Sequence, residues 1–155
     1  MSRFKKKKGS GTPGISTASL PDIVFMLLFF FMVTTVMRET TLFVENTLPQ
    51  ASEIKKIEDK SLCSYIYVGA PVTSMKHKFG SEPRIQLNDS FKLASDIQEF
   101  IATKRESTPE EKKPQLITCI KADIDAKMGL ITDIKQELRK AQAFKINYAT
   151  YTSVE

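Results

Sequence analysis

The sequence predicts a single transmembrane α-helix followed by a small α+β domain of order ββαβαβ, a sheet with two helices on one face. Three observations carry this. Charge is segregated: among 155 residues, 1–14 hold Arg3 and Lys5 to Lys8 and no acid, 15–37 hold only Asp22, and 38–155 hold 18 Lys and Arg against 17 Asp and Glu. One uninterrupted apolar run, Ile23 to Met37, follows the basic tail. After residue 61, short runs rich in β-branched and aromatic residues alternate with stretches of helical period. The division is therefore a basic flexible cytoplasmic tail at 1–14, a transmembrane helix at 15–37, a linker at 38–61 and the α+β domain at 62–152.

Several function classes drop out early. The isoelectric point of about 9.2 comes from the tail alone, so no nucleic-acid surface is implied. About 100 residues remain for a folded domain, too few for an extensive catalytic core. His77 is the only histidine, which leaves no His-based metal set or dyad. Gly9-Ser-Gly11-Thr-Pro-Gly14 matches GxGxxG in form but follows lysines rather than a strand, and reads as a flexible linker. Asp123 and Asp125 read as a turn before a helix rather than as an acid–base pair. No enzyme, metal or cofactor is expected.

Ile23 to Met37 alone reaches only about 22 Å, short of the roughly 30 Å hydrocarbon core. A start at Ile15 or Ser19 gives 23 or 19 residues, enough to span, with Asp22 inside the helix or at one interface. The tail carries five cations, whereas Arg38 is the only one in the fifteen residues after the run. The positive-inside rule thus places the tail in the cytoplasm and residues 38–155 across the membrane. A cleaved signal peptide is the rival reading; the acid at the head of the run and the lack of a small-x-small site weigh against it.

Asp22 has two readings. An acid inside a spanning helix is costly unless it faces protein or water, and such residues relay protons. Ala18, Met26, Phe29, Val33 and Val36 share its side of the helix, all apolar, so another protein would have to complete an aqueous path. Alternatively, Ser19-Leu20-Pro21-Asp22 forms a variant capping box, with Ser19 as N-cap and Asp22 complementing the helix dipole. Thr34 and Thr35 read as backbone-bonding spacers.

The run Ser19-Leu20-Pro21-Asp22-Ile23-Val24-Phe25-Met26-Leu27-Leu28-Phe29-Phe30-Phe31-Met32-Val33 resembles the transmembrane helix of the ExbD/TolR family. Leu48-Pro49 is similar to a Leu-Pro that the family places just after the membrane. Lys121-Ala122-Asp123 resembles its basic-Ala-Asp signature between a strand and the last helix. The resemblance implies a single-pass inner-membrane subunit with a periplasmic domain, paired as a homodimer inside a ring of an ExbB/TolQ-like polytopic partner. It implies Asp22 as the proton carrier, Ser19, Pro21, Met26, Phe29 and Val33 as the helix start and pore-facing candidates, and Leu48 and Pro49 as a post-membrane motif. The work would pass to a TonB-like or Tol–Pal-type periplasmic protein. Leu48-Pro49 and the final helix–strand look more like the nutrient-uptake branch, energising TonB-dependent transport, than the TolR-like envelope-maintenance branch. A membrane-tethered binding module without a proton role is the remaining alternative. One carboxylate suits H⁺ or Na⁺ alike, and the resemblance implies H⁺.

Within the domain, Leu62 to Val68 reads as the first strand and residues 69–83 as a long loop holding His77, Gly80 and Pro83. Arg84 to Leu87 is a short strand, ended by an Asn88-Asp89-Ser90 turn. Leu93, Ile97, Phe100 and Ile101 predict a helix over 92–105, and Ser107 to Pro114 a polar connector. Gln115 to Lys121 is a strand. Met128, Ile131, Ile134 and Leu138 predict a helix over 127–141, and Lys145 to Thr152 alternate as a final strand. Gln142 stands where the family often has Gly, so the last helix is expected to end without a left-handed cap. Cys63 and Cys119 fall on separate strands and are expected as buried free thiols, with a disulfide as the alternative.

Overall fold

The computed structural model describes residues 9, 11, 14, 17–34 and 40–152. The chain divides into two units, residues 1–39 and 40–155. Most of the tail at 1–14, and positions 15, 16 and 35–37 of the expected span, lie outside the described residues.

In the first unit, α1 runs Ser19–Thr34, 16 residues. Pro21 is tolerated because its missing N–H falls in the first turn, where no intrahelical acceptor exists. Near the other end the Thr34 hydroxyl donates to the Phe30 carbonyl at 2.8 Å, the backbone bonding expected of it. The helix is about 24 Å long at 1.5 Å per residue. Among the described residues no helix is long and apolar enough to cross a membrane.

The second unit contains β1 (Gln50–Ala51), β2 (Cys63–Gly69), α2 (Thr73–Phe79), β3 (Arg84–Leu87), β4 (Ser90–Lys92), α3 (Ile97–Glu106), β5 (Ile117–Ala122), α4 (Met128–Lys140), β6 (Ile146–Tyr148) and β7 (Tyr151–Thr152). Its main sheet has the order β4-β3-β2-β5-β6. β2 pairs antiparallel with β3 and parallel with β5, and β5 pairs parallel with β6. The parallel β5–β6 pair requires a crossover, and α4 supplies it. β2 lies at the centre, which explains why six of its seven residues are buried.

The helix-facing side of the sheet holds the core. Ile66, Val68, Ile85, Leu87 and Ile120 pack there against Ile97 and Ile101 of α3 and Ile131, Ile134 and Leu138 of α4. Both helices therefore lie on one face, as their spacing predicts. The Gln98 amide donates to Glu137 at 2.5 Å and links the two helices across their outer edge.

Four local expectations change. The loop over 69–83 contains α2, a helix with no buried residue and so no apolar period to read. The Asn88 turn, with Asn88 at φ 52, is a two-residue hairpin leading into β4. The final strand over 145–152 splits: β6 joins the main sheet, and β7 pairs with β1 in a separate two-stranded parallel ribbon. The 38–61 stretch, expected as a linker, is docked on the domain from residue 40 to 51. Val44 is 2% exposed and bridges Pro71, and the Val72 N–H donates to the Phe43 carbonyl at 2.9 Å.

The end of α4 is a fifth difference. Gln142 has φ 55, the left-handed region, despite not being glycine. Ala143 N–H donates to Leu138 O at 2.8 Å and Gln142 N–H to Arg139 O at 3.0 Å, the bond pair of a Schellman cap. The Arg105 guanidinium donates to the Gln142 carbonyl at 2.8 Å and helps hold it. A non-glycine residue there costs roughly 1–2 kcal/mol of backbone energy. Gln142→Gly is expected to stabilise the domain by about 0.5–1 kcal/mol, since glycine's greater unfolded entropy offsets part of that gain. Urea unfolding with an unchanged m-value and a higher midpoint is the check; a lower midpoint would refute it.

Candidate functional site

Asp22 lies in the first turn of α1 and is the only charged residue between Ser19 and Thr34. The helix begins at Ser19, which therefore stands one position inside the expected N-cap place, and Leu20 N–H reaches back to Thr17 O at 3.3 Å. No residue of α1 is buried: Met26, Phe29 and Val33, on the Asp22 side, are 60%, 55% and 55% exposed. Phe25 and Phe30, off that side, are 66% and 63% exposed. The helical repeat alone aligns Asp22 with Met26, Phe29 and Val33, and Val36 lies outside the described residues.

Leu48 and Pro49 lie in the docked segment. The Pro49 carbonyl accepts the Tyr151 N–H at 2.9 Å and opens the β1–β7 ribbon. Lys121-Ala122-Asp123 serves the same segment from the other side. The Asn46 amide donates to the Lys121 carbonyl, and Thr47 N–H donates to an Asp123 carboxylate oxygen, both at 2.8 Å. Ile124 N–H returns to Thr47 O at 2.9 Å. Asp123 is thus engaged in holding backbone.

Two residues central to the docking have no counterpart among the sequence expectations. Gln86, fully buried on the sheet face away from the helices, accepts the Phe43 N–H at 2.8 Å and donates to the carbonyls of Thr41 at 2.6 Å and Asn88 at 2.8 Å. The sequence carries no signal for it, because Gln86 alternates with the core residues Ile85 and Leu87 and so reads as solvent-facing. Gly69 lets the Glu45 backbone approach; a Cβ there would sit 2.1 Å from the Glu45 carbonyl oxygen.

Cys63 and Cys119 are both free and buried, on that same face. Register pairs Tyr65 with Cys119 and Cys63 with Ile117, so the cysteines are diagonal neighbours. Diagonal Cα atoms lie about 7–8 Å apart, beyond the usual disulfide span. Burial pushes the Cys119 thiol up to about 12, reinforced by Cys63, and pushes the Tyr65 hydroxyl up to about 12, reinforced by both cysteines. The Lys121 ammonium lies 4.8 Å from the Tyr65 ring centre and 5.3 Å from that of Tyr67. This is a closed cluster of protonated groups. In the unfolded chain these groups ionise near 9 and 10, so stability is complete below pH 9 and falls as pH rises toward 12. The urea midpoint is expected to drop between pH 8 and 11, and less so in Cys119→Ala relative to its own value at pH 8. A midpoint flat over that range would contradict this.

His77 is exposed on α2. Among the described residues no group of three or more His, Cys, Asp or Glu could hold a metal ion.

An apolar helix with one carboxylate in its first turn precedes a small mixed-sheet α+β domain in one chain. A family model described as Biopolymer transport protein ExbD/TolR matches residues 8–153, nearly the whole chain. The protein belongs to the ExbD/TolR family, whose members are inner-membrane subunits of biopolymer-transport complexes that associate with ExbB/TolQ-type partners. Comparison with curated proteins and with solved structures gave no match.

Proposed function

We propose that this chain is an ion-motive-force-driven motor subunit of the inner membrane, in which Asp22 carries protons within an ExbB-like ring to energise TonB-dependent transport across the outer membrane. What carries the reading is Asp22, the one charge on a 16-residue helix none of whose residues the chain buries. An acid in hydrocarbon needs a protein or aqueous surround, and one apolar helix with a single acid cannot supply it alone, so other chains have to. Two copies of the helix inside a polytopic ring would meet both needs. The helix then spans with its N-terminus in the cytoplasm, and the α+β domain, on the periplasmic side, transmits force to a partner rather than catalysing a reaction.

The test is a gentle detergent pull-down from native membranes through a C-terminal tag, with the co-purifying proteins identified. A polytopic membrane protein in molar excess is the expected result. A TonB-like protein travelling with it supports the uptake reading, and a Tol–Pal-type protein replaces it with envelope maintenance. Recovery of the chain alone, or with a soluble partner only, overturns the motor reading in favour of a tethered binding module.

A further inference from the structure

A cavity of about 330 Å³ opens at the end of the core where the C-terminal turn of α3 meets residues 113–118 and 142–145. Four cations line it, Lys104, Arg105, Lys113 and Lys145, and no acidic residue does. Three of the four bond to neutral carbonyls: Lys104 to Ser61 at 3.5 Å, Arg105 to Gln142 at 2.8 Å, and Lys145 to Pro114 at 2.6 Å. Lys113 pairs with Glu110, a side chain 86% exposed that is not part of the lining.

The polar lining also includes two hydroxyls. Ser64 and Thr118 are register partners on β2 and β5, facing the helices at the end of the apolar core. The two residues are 5% and 3% exposed, and both line the cavity. Both hydroxyls line the cavity beside its cations and are available there as donors. Cations without carboxylate partners, together with hydroxyl donors at low exposure, are the recognition chemistry of an oxyanion. The volume exceeds that of a single phosphate and suits a small organic ligand. Phe144, 73% exposed, adds an apolar wall for the rest of such a molecule.

We propose that this cavity is an anion-binding site, which takes the phosphate or carboxylate group of a small organic molecule on Lys104, Arg105 and Lys145 with the Ser64 and Thr118 hydroxyls as further donors. The site is independent of Asp22 and of the helix that carries it.

The experiment uses the full chain in detergent micelles and follows thermal unfolding as inorganic phosphate or acetate replaces chloride at constant ionic strength. A saturable rise in the unfolding midpoint is expected, with affinity lowered about tenfold in Lys104→Gln and in Thr118→Val. Lys92→Gln, remote from the cavity, is expected to respond as the parent does. The Thr118→Val variant removes a hydroxyl without changing charge, which separates site binding from general screening. A stronger response to phosphate assigns the phosphate class, and a stronger response to acetate the carboxylate class. No saturable response, or one unchanged in both cavity variants, marks an adventitious ion only and overturns the proposal.

Discussion

Asp22→Asn is expected to reduce energised transport to the background of cells lacking the chain, while the protein inserts and accumulates normally. Asparagine keeps the size and hydrogen-bonding capacity of aspartate and is well tolerated near a helix start, so α1 should form unchanged. What it loses is the proton-exchanging carboxyl. Were Asp22 only a complement to the helix dipole, the change would cost about 0.3–1 kcal/mol of local helix stability and leave transport intact. The two readings thus differ in kind. Asp22→Glu retains the carboxyl one methylene further out and is expected to keep partial activity. The measurement is energy-dependent uptake at matched membrane levels; unimpaired uptake in Asp22→Asn removes the proton-carrying role. A chimera with an unrelated spanning helix in place of residues 15–37 should fail for the same reason.

Gly69→Ala is expected to release the segment around residues 41–49 from the domain. The added Cβ would lie 2.1 Å from the Glu45 carbonyl oxygen and 3.3 Å from its carbon, backbone atoms that cannot swing aside as a flexible side chain would. The segment must lift, and its bonds go with it: Glu45 N–H to Ala70 O at 2.7 Å, Val72 N–H to Phe43 O at 2.9 Å, and the neighbouring pair through Asn46 and Thr47. Val44 would also be exposed to water. Each bond contributes about 1 kcal/mol and a buried valine about 1.5 kcal/mol or more, so losing the four bonds and the valine contact costs on the order of 4–6 kcal/mol. Hydrogen exchange is the check. Amides of residues 43–47 should exchange far faster while those of β2 and β5 stay protected, because the helix-facing core is untouched. Unchanged protection at Glu45 and Val72 would show that the sheet shifts instead. In the proposed motor this segment matters, since it is the stretch of chain between α1 and the domain.

Much of this architecture was legible in the residues themselves. Ile131, Ile134 and Leu138 recur on one face because an α-helix turns every 3.6 residues, and the same rule located α3 through Ile97 and Ile101. Arg84 to Leu87 was bounded correctly by the turn residues that follow it. Asp22 stood out because one charge in an apolar run is visible without any fold. These are local signals, in which each residue's neighbours in sequence are also its neighbours in space.

Pairings between distant residues account for the rest. Gln50 meets Tyr151, Val44 meets Pro71, and Asn46 meets Lys121, so a stretch with no period of its own becomes an ordered strap. α2 escaped notice because it buries nothing, and an unburied helix needs no apolar stripe. Gln142 takes a left-handed conformation that its side chain disfavours because the Schellman bonds and Arg105 outweigh the local preference. The cationic cavity gathers Lys104 and Lys145, 41 residues apart in sequence, around two strand hydroxyls. Periodicity and charge, which act over a few residues, sufficed for the apolar helix, α3, α4, the central strands and the lone acid. The strap, the cap and the cavity came from backbone hydrogen bonding and steric fit between segments 20 to 100 residues apart, which no local pattern encodes.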